Sequence, residues 1–350
     1  MSSEILTRRE GSIARLSLNR PRAIHALTFD MCEALSDALL AWRGDSSVQA
    51  VMLDHADGTR GFCAGGDVIS VRASVLADGG VAGRAFFHAE YRLNHLLQTY
   101  PKPVIAFMDG VTMGGGVGLA LPCRYRVATE NTLFAMPEGA IGLFPDVGAG
   151  FYLATLPGHL GKFLALTGAR LDGAECLWAG LATHYLASDD LTEAKEAIAK
   201  EPSAADEILA DLSTPAPSAR LERNAERIER LFAPVTLEGI IEALAADPSD
   251  WAGKELKAVT AKCPTTAKVA LRQIASAPAD FAEEMAREYA LATRMIARHD
   301  FREGVRAVLV DKDNAPSWQP ATAEGVTEAM LDVLFAPLPA GEQWTPFPPL

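Results

Sequence analysis

Long apolar runs, basic charge and paired cysteines are all scarce in this 350-residue chain. Its longest apolar runs, such as Pro103 to Met108, fall far short of the roughly 20 residues that a membrane-spanning helix requires. The first ten residues, Met1 to Glu10, lack an apolar signal core. These two absences lead to the expectation of a cytoplasmic protein with no membrane partner. Lys and Arg total 32 against 45 Asp and Glu, a formal net charge of −13, so a basic nucleic-acid surface is excluded. The five cysteines, Cys32, Cys63, Cys123, Cys176 and Cys263, are odd in number and never form a Cys-x-x-Cys pair. Neither a disulfide framework nor a zinc site is therefore expected, and no His/Cys/Asp cluster has metal-ligand spacing. No Gly-x-Ser-x-Gly elbow is present, and His25, His184 and His299 are read as structural.

What the chain does have is enough apolar sequence, 49% of residues, to bury a large core in one domain or two unequal ones. Ser12 to Leu18 alternates as a strand and ends in a turn at Asn19-Arg20-Pro21. Thr28 to Trp42 has helical spacing with Thr28 as N-cap, and Val48 to Leu53 reads as a short buried strand. The unit repeats: a helix from Arg84 to Gln98, a strand from Val104 to Met108, a Gly-rich turn, and a strand from Tyr125 to Ala128. Strands alternating with helices imply an α/β fold whose Gly-rich turns hold ligands. From Ser188 to Trp251 the Ala- and charge-rich composition reads as a solvated helical insertion, with Thr214 to Ser218 as a linker. Helical periodicity returns over Thr265 to Ile274 and Phe281 to Ala297. The prolines of the last thirty residues predict an extended, mobile tail.

The segment Met113-Gly114-Gly115-Gly116-Val117-Gly118 is the most informative. Glycines after a strand and before an apolar helix start expose backbone N–H groups at the positive end of a helix dipole. Leu119 breaks a dinucleotide fingerprint, and no Gly-Lys-Ser/Thr exists for a nucleotide P-loop. A second turn, Gly61-Phe-Cys-Ala-Gly65-Gly66-Asp67, also follows a strand. Two such turns suit an oxyanion hole with one N–H from each. On local pattern alone, a purely structural role in tight turns and close helix packing is the lesser alternative for the glycines, and Asp67 reads as an N-cap.

Phe62-Cys-Ala-Gly-Gly-Asp67 and Met113-Gly-Gly-Gly-Val117, preceded by Leu18-Asn-Arg-Pro21, resemble the signature set of the crotonase (enoyl-CoA hydratase/isomerase) superfamily. That resemblance implies a spiral of β-β-α units with a C-terminal helical region, an acyl-CoA thioester ligand, and an oxyanion hole from Gly66 and Gly115. Within the superfamily, hydratases carry a glutamate two residues beyond the Gly triplet and a second about twenty residues later. Here the first position is Gly118 and the second is Glu138. The stretch Phe134 to Asp146, together with Glu90 to Asn94, Leu164 to Leu171, Ala179 to His184, Cys263 to Thr266 and His299 to Asp313, is similar to the 3-hydroxyisobutyryl-CoA hydrolase family.

By that likeness the spiral core spans 1–187, a helical insertion 188–262, C-terminal helices 263–335 and an extended tail 336–350. Glu90, Gly115, Glu138 and Asp146 would contact substrate, with Gly66, Gly115, Glu138 and Asp146 carrying the chemistry. The implied reaction is hydrolysis of a short β-hydroxylated acyl-CoA, as in valine breakdown, with no cofactor beyond the coenzyme A of the substrate. The resemblance leaves Glu138 as general base or as nucleophile, and Asp146 as orienting substrate, positioning water or handling a proton. Enoyl-CoA hydration or isomerisation is the alternative, and a non-catalytic acyl-CoA-binding protein the third reading. Superfamily likeness also implies a homo-oligomer built through the C-terminal helices, a surface the insertion is placed to cover. Taken singly, Glu138 reads as a solvated surface carboxylate, Glu90 as a helix-face residue with an i,i+4 partner, and Asp146 as a helix N-cap.

Overall fold

A computed structural model describes residues 4–349. Its eight strands are β1 (Ile5–Glu10), β2 (Ile13–Leu18), β3 (Ala50–His55), β4 (Val104–Met108), β5 (Val111–Met113), β6 (Tyr125–Ala128), β7 (Leu133–Ala135) and β8 (His184–Tyr185). Six form one sheet in the order β1-β2-β3-β4-β6-β8, parallel throughout except for the β1/β2 hairpin. The short β5 and β7 pair in a second, parallel ladder. Each turn of chain thus contributes one strand to the large sheet and one short segment to the ladder, which produces the spiral of β-β-α units expected from the motifs.

Between the strands run α1 (Phe29–Arg43), α2 (Val68–Asp78), α3 (Val81–Gln98) and α4 (Gly115–Ala120). The Thr28 hydroxyl caps α1 by accepting from Met31 N at 3.2 Å, as its sequence pattern predicts. Then come α5 (Ala149–Ala154), α6 (Leu160–Thr167) and α7 (Gly173–Trp178). The segment beyond residue 187 holds α8 (Leu191–Lys200), α9 (Ala205–Leu212), α10 (Ala225–Leu231), α11 (Leu237–Ala246) and α12 (Asp250–Thr260). The chain finishes with α13 (Pro264–Ala275), α14 (Phe281–Met295), α15 (His299–Val305) and α16 (Glu328–Phe335).

Two sequence expectations need correcting. The segment after Ser188 is not simply solvated, because Leu191, Ala194 and Ile198 of α8 and Ala205 and Leu209 of α9 are buried against one face of the sheet. They cover Ile13, Ala50, Met52, Ile105, Phe107 and Val127, so β2 is buried on both faces as parallel strands usually are. One charge cluster fixes this contact. Lys195 of α8 reaches Asp54 at 2.8 Å, where Arg15 also lies at 2.7 Å and Ser17 donates at 2.6 Å. Burial alone would raise Asp54, but Lys195 and Arg15 outweigh it and hold the carboxyl below its ordinary value.

The second correction concerns the last thirty residues. They contain α16, and the extended stretch after it is packed: Leu338 and Trp344 are buried, Arg92 stacks 3.9 Å over Phe347, and Arg43 donates to Pro348 O at 2.9 Å. The prolines stop helix formation without making the segment mobile, because apolar side chains between them still find a surface to cover.

Candidate active site

The short ladder explains why two glycine-rich turns about fifty residues apart become neighbours. Cys63 N donates to Val111 O at 2.8 Å and Met113 N to Cys63 O at 2.9 Å, while Leu27 N donates to Gly65 O at 2.8 Å. These bonds consume the backbone groups around Gly66 and Gly115. Among the described residues the N–H groups of Gly66 and Gly115 themselves donate to no protein acceptor. Gly115 opens α4, so its N–H has no acceptor within the helix. A methyl group on Gly115 would lie 3.2 Å from Gly66 N and would overlap Glu90 Oε1. Only glycine leaves room there for a ligand atom.

The cavity in front of these amides has a volume of about 240 Å³ and is lined by both glycines, Phe86, Glu90, Glu138 and Asp146, among others. The three carboxylic side chains are 2%, 4% and 4% exposed respectively, which decides against each surface reading of them. Glu90 points inward from α3. Glu138 begins a single 3-10 turn, Glu138–Ala140, and Pro137 before it holds the entry. Asp146 is not an N-cap, because α5 is entered through Gly148 in a left-handed conformation with no side-chain cap. Instead the Tyr91 hydroxyl donates to Asp146 Oδ2 at 2.7 Å. Glu90 Oε1 and Glu138 Oε2 are buried without any hydrogen-bond partner. Unpaired buried oxygens are costly, and they mark groups kept for a ligand.

Electrostatics in this cavity favour protons over charge. Burial pushes Glu138 well above the ordinary carboxylate range and the Asp146 charge adds to it, while a backbone hydrogen bond and Lys262 pull it down. Glu90 is raised by burial, then by Asp146 and Glu138. Asp146 is raised by burial to about 7, with the Tyr91 hydrogen bond and a backbone bond opposing the rise. Like charges in one dry cavity cannot all ionise together.

Several supporting residues escaped the sequence reading. Val147, next to Asp146, has φ +55°, a strained conformation for a β-branched residue. It is held by Gly118, where a methyl group would lie 2.5 Å from Val147 Cβ, and by Glu288, whose Oε2 accepts from Gly148 N at 2.8 Å. Gln273 then bridges Glu288 and Glu284 at 2.8 and 3.1 Å. No sequence signal separates Tyr91 or Glu288 from ordinary helix residues. Asp67 is an N-cap as expected, accepting from Ser70 N at 3.1 Å, and Arg20 is tied to it at 2.8 Å. His25 is buried between Arg20 N and Thr59 Oγ1, away from the cavity lining. All five cysteines are buried and free.

Fold and site together define a crotonase-type protein, and the chain belongs to the enoyl-CoA hydratase/isomerase family, whose model matches residues 13–335. The similarity to hydrolases expected from the motifs is borne out over most of the chain. A chicken protein named 3-hydroxyisobutyryl-CoA hydrolase, mitochondrial, is 40% identical, with 96% of this chain and 90% of the relative covered. The human protein of that name is also 40% identical, covering 96% and 89%. A solved structure described as a carnitinyl-CoA dehydratase from Mycobacterium thermoresistibile superimposes with TM-score 0.92 at 38% identity, covering 98% of this chain and 99% of that one.

The cytoplasmic expectation is overturned by these relatives, whose names place them in mitochondria. The lack of an apolar core in the first residues carries no information on an organelle transit segment, which is amphipathic and Arg-rich.

Proposed function

We propose that this protein hydrolyses a short 3-hydroxyacyl-CoA thioester, 3-hydroxyisobutyryl-CoA above all, to the free hydroxy acid and coenzyme A, a step of valine breakdown. One observation carries the reading: two unengaged glycine N–H groups stand beside a pair of buried acids, Glu138 and Asp146, with no carboxylate at position 118. Attack on the thioester carbon moves charge onto its oxygen, and the Gly66 and Gly115 amides receive that charge. A donor of this kind is worth roughly 3 to 4 kcal/mol in the transition state.

The acid pair works with one charge and one proton. The ionised carboxylate takes the proton of the attacking water, the new C–O bond forms, the C–S bond breaks, and coenzyme A leaves as a thiolate that recovers the proton. If Glu138 attacks the carbon itself, the thiolate leaves first and water then cleaves the acyl anhydride. Label appearing in Glu138 after a single turnover in ¹⁸O-water identifies the anhydride route, with water cleaving the anhydride at the Glu138 carbonyl.

The dehydratase name of the superimposing structure favours a second reading, water addition to an enoyl-CoA. Against it, Val147 occupies the space beside Gly118 that a second glutamate would need. The test is thiol release from 3-hydroxyisobutyryl-CoA, with loss of enoyl absorbance from crotonyl-CoA measured in parallel. Glu138→Gln is expected to lower thiol release by about 10² to 10⁴-fold. Unchanged release in that variant, or crotonyl-CoA hydration faster than hydrolysis, overturns the proposal.

A further inference from the structure

Helix α15 does not end at Val305 but widens into a π-turn over Arg306–Val310, with Asp311 N donating to Arg306 O at 2.8 Å. Such turns are rare and concentrate at functional sites, because the wider turn redirects the side chains it carries. Here it brings Val308 and Leu309 to the lining of the cavity that holds Glu138 and Asp146. Both are only half-buried, while their neighbours Val305 and Ala307 lie fully in the core.

The placement of this turn is enforced from two sides. Toward the site, α15 lies directly against the loop between the two acids. A methyl group on Gly142 would lie 2.8 Å from Phe301 N, and one on Gly304 would lie 2.6 Å from Ile141 Cα. Toward solvent, Arg306 gathers three carboxylates: Glu303 at 2.8 Å, Asp311 at 2.7 Å and Asp313 at 2.6 Å. Asn314 N closes the far end on Ala307 O at 3.0 Å. A pair of apolar side chains is thus presented to the cavity by a segment separate from both glycine turns and both acids.

We propose that Val308 and Leu309 form the wall that grades the acyl group by size, and that Arg306 is the positioning residue that sets them. The inference rests on the acyl-thioester reading above. The acids and amides recognise oxygen atoms, so an acyl methyl branch can be recognised only by shape and dispersion against apolar walls. One methyl in such a pocket is worth roughly ten- to two-hundredfold in discrimination.

The experiment compares kcat/KM for 3-hydroxyisobutyryl-CoA and 3-hydroxypropionyl-CoA, which differ by one methyl, in the unaltered protein and in Val308→Ala, Leu309→Ala and Arg306→Gln. The preference for one thioester over the other is expected to change at least fivefold in either truncation, and in the same direction but less in Arg306→Gln. The Kd ratio for S-isobutyl-CoA and S-propyl-CoA, thioethers that cannot be hydrolysed, is expected to move likewise. If the thioether ratio moves while the unaltered protein hydrolyses neither thioester, the wall assignment stands and the hydrolase reading falls. Ratios within twofold of the unaltered protein in every variant, whether or not the absolute values drop, overturn the assignment.

Discussion

Replacing Tyr91 with Phe removes one oxygen from the site and leaves the buried ring in place. The lost group is the hydroxyl that donates to Asp146 Oδ2 at 2.7 Å. A hydrogen bond to a charged group contributes about 1.5 to 3 kcal/mol. Because that bond favours the ionised carboxylate, its loss raises the first ionisation of the acid pair by roughly one to two pH units. Asp146 starts near 7, so the rising limb of kcat/KM against pH is expected to move from about 7 to between about 8 and 9. At pH 7 the active, singly charged fraction would then fall about five- to fiftyfold, while activity at pH 9 recovers roughly half or more of its unaltered value. The assay is thiol release from saturating and limiting thioester between pH 5 and 10. A limb that stays near 7, with activity lowered equally at every pH, would refute the single-charge mechanism.

Two further outcomes follow from the same geometry. Asp146 is raised in the folded protein above its unfolded value of 3.8 to about 7, so the folded state binds the extra proton between those pH values. Stability tied to this group is thus fully present below the unfolded value and is lost as pH rises through about 7. Asp146→Asn is accordingly expected to raise the unfolding free energy at pH 8 by an amount on the order of a few kcal/mol, read as a higher Tm, and to change little at pH 4; equal Tm shifts at both pH values would contradict the assignment. Gly118→Ala is expected to cost about 1 to 3 kcal/mol in denaturant unfolding because its methyl meets Val147. It should also lower thiol release by moving the Asp146 loop, without creating crotonyl-CoA hydration, and a variant as stable and active as the parent would show that Val147 has room to move.

The sequence announces some parts of this molecule and hides others, for physical reasons that differ from residue to residue. Strands β4 and β6 are found at the predicted bounds; Pro103 and Gly110 delimit the apolar run of β4, and polar residues, Arg124 and Thr129-Glu130-Asn131, border β6. Gly66 and Gly115 are legible as turn glycines because two turns of one kind repeat after two strands. The buried stripe of helices α8 and α9 is hard to read locally because alanine carries part of it, with Leu191, Ile198, Ile208, Leu209 and Leu212 spread among charged neighbours. The burial of Glu138 and Glu90 is invisible locally, as a carboxylate in a turn or on a helix is ordinarily solvated. Tyr91 and Glu288 act through contacts with residues 55 and 140 positions away along the chain. No window of local sequence contains such a pairing.

Position 118 shows how a missing residue becomes a structural feature. In the family pattern a glutamate there makes one of two acids. Here a glycine removes that acid and simultaneously opens the volume into which Val147 packs, with Val147 Cβ 2.5 Å from where a methyl on Gly118 would sit. That packing sustains the φ of +55° at Val147, a conformation a β-branched residue adopts only when its surroundings over-determine it. The adjacent Asp146 is thereby delivered to the cavity, where Tyr91 holds its carboxylate. The glycine at 118 and the placement of Asp146 are therefore structurally coupled through Val147. A glutamate placed at 118 would have to displace Val147, and with it the backbone that carries Asp146.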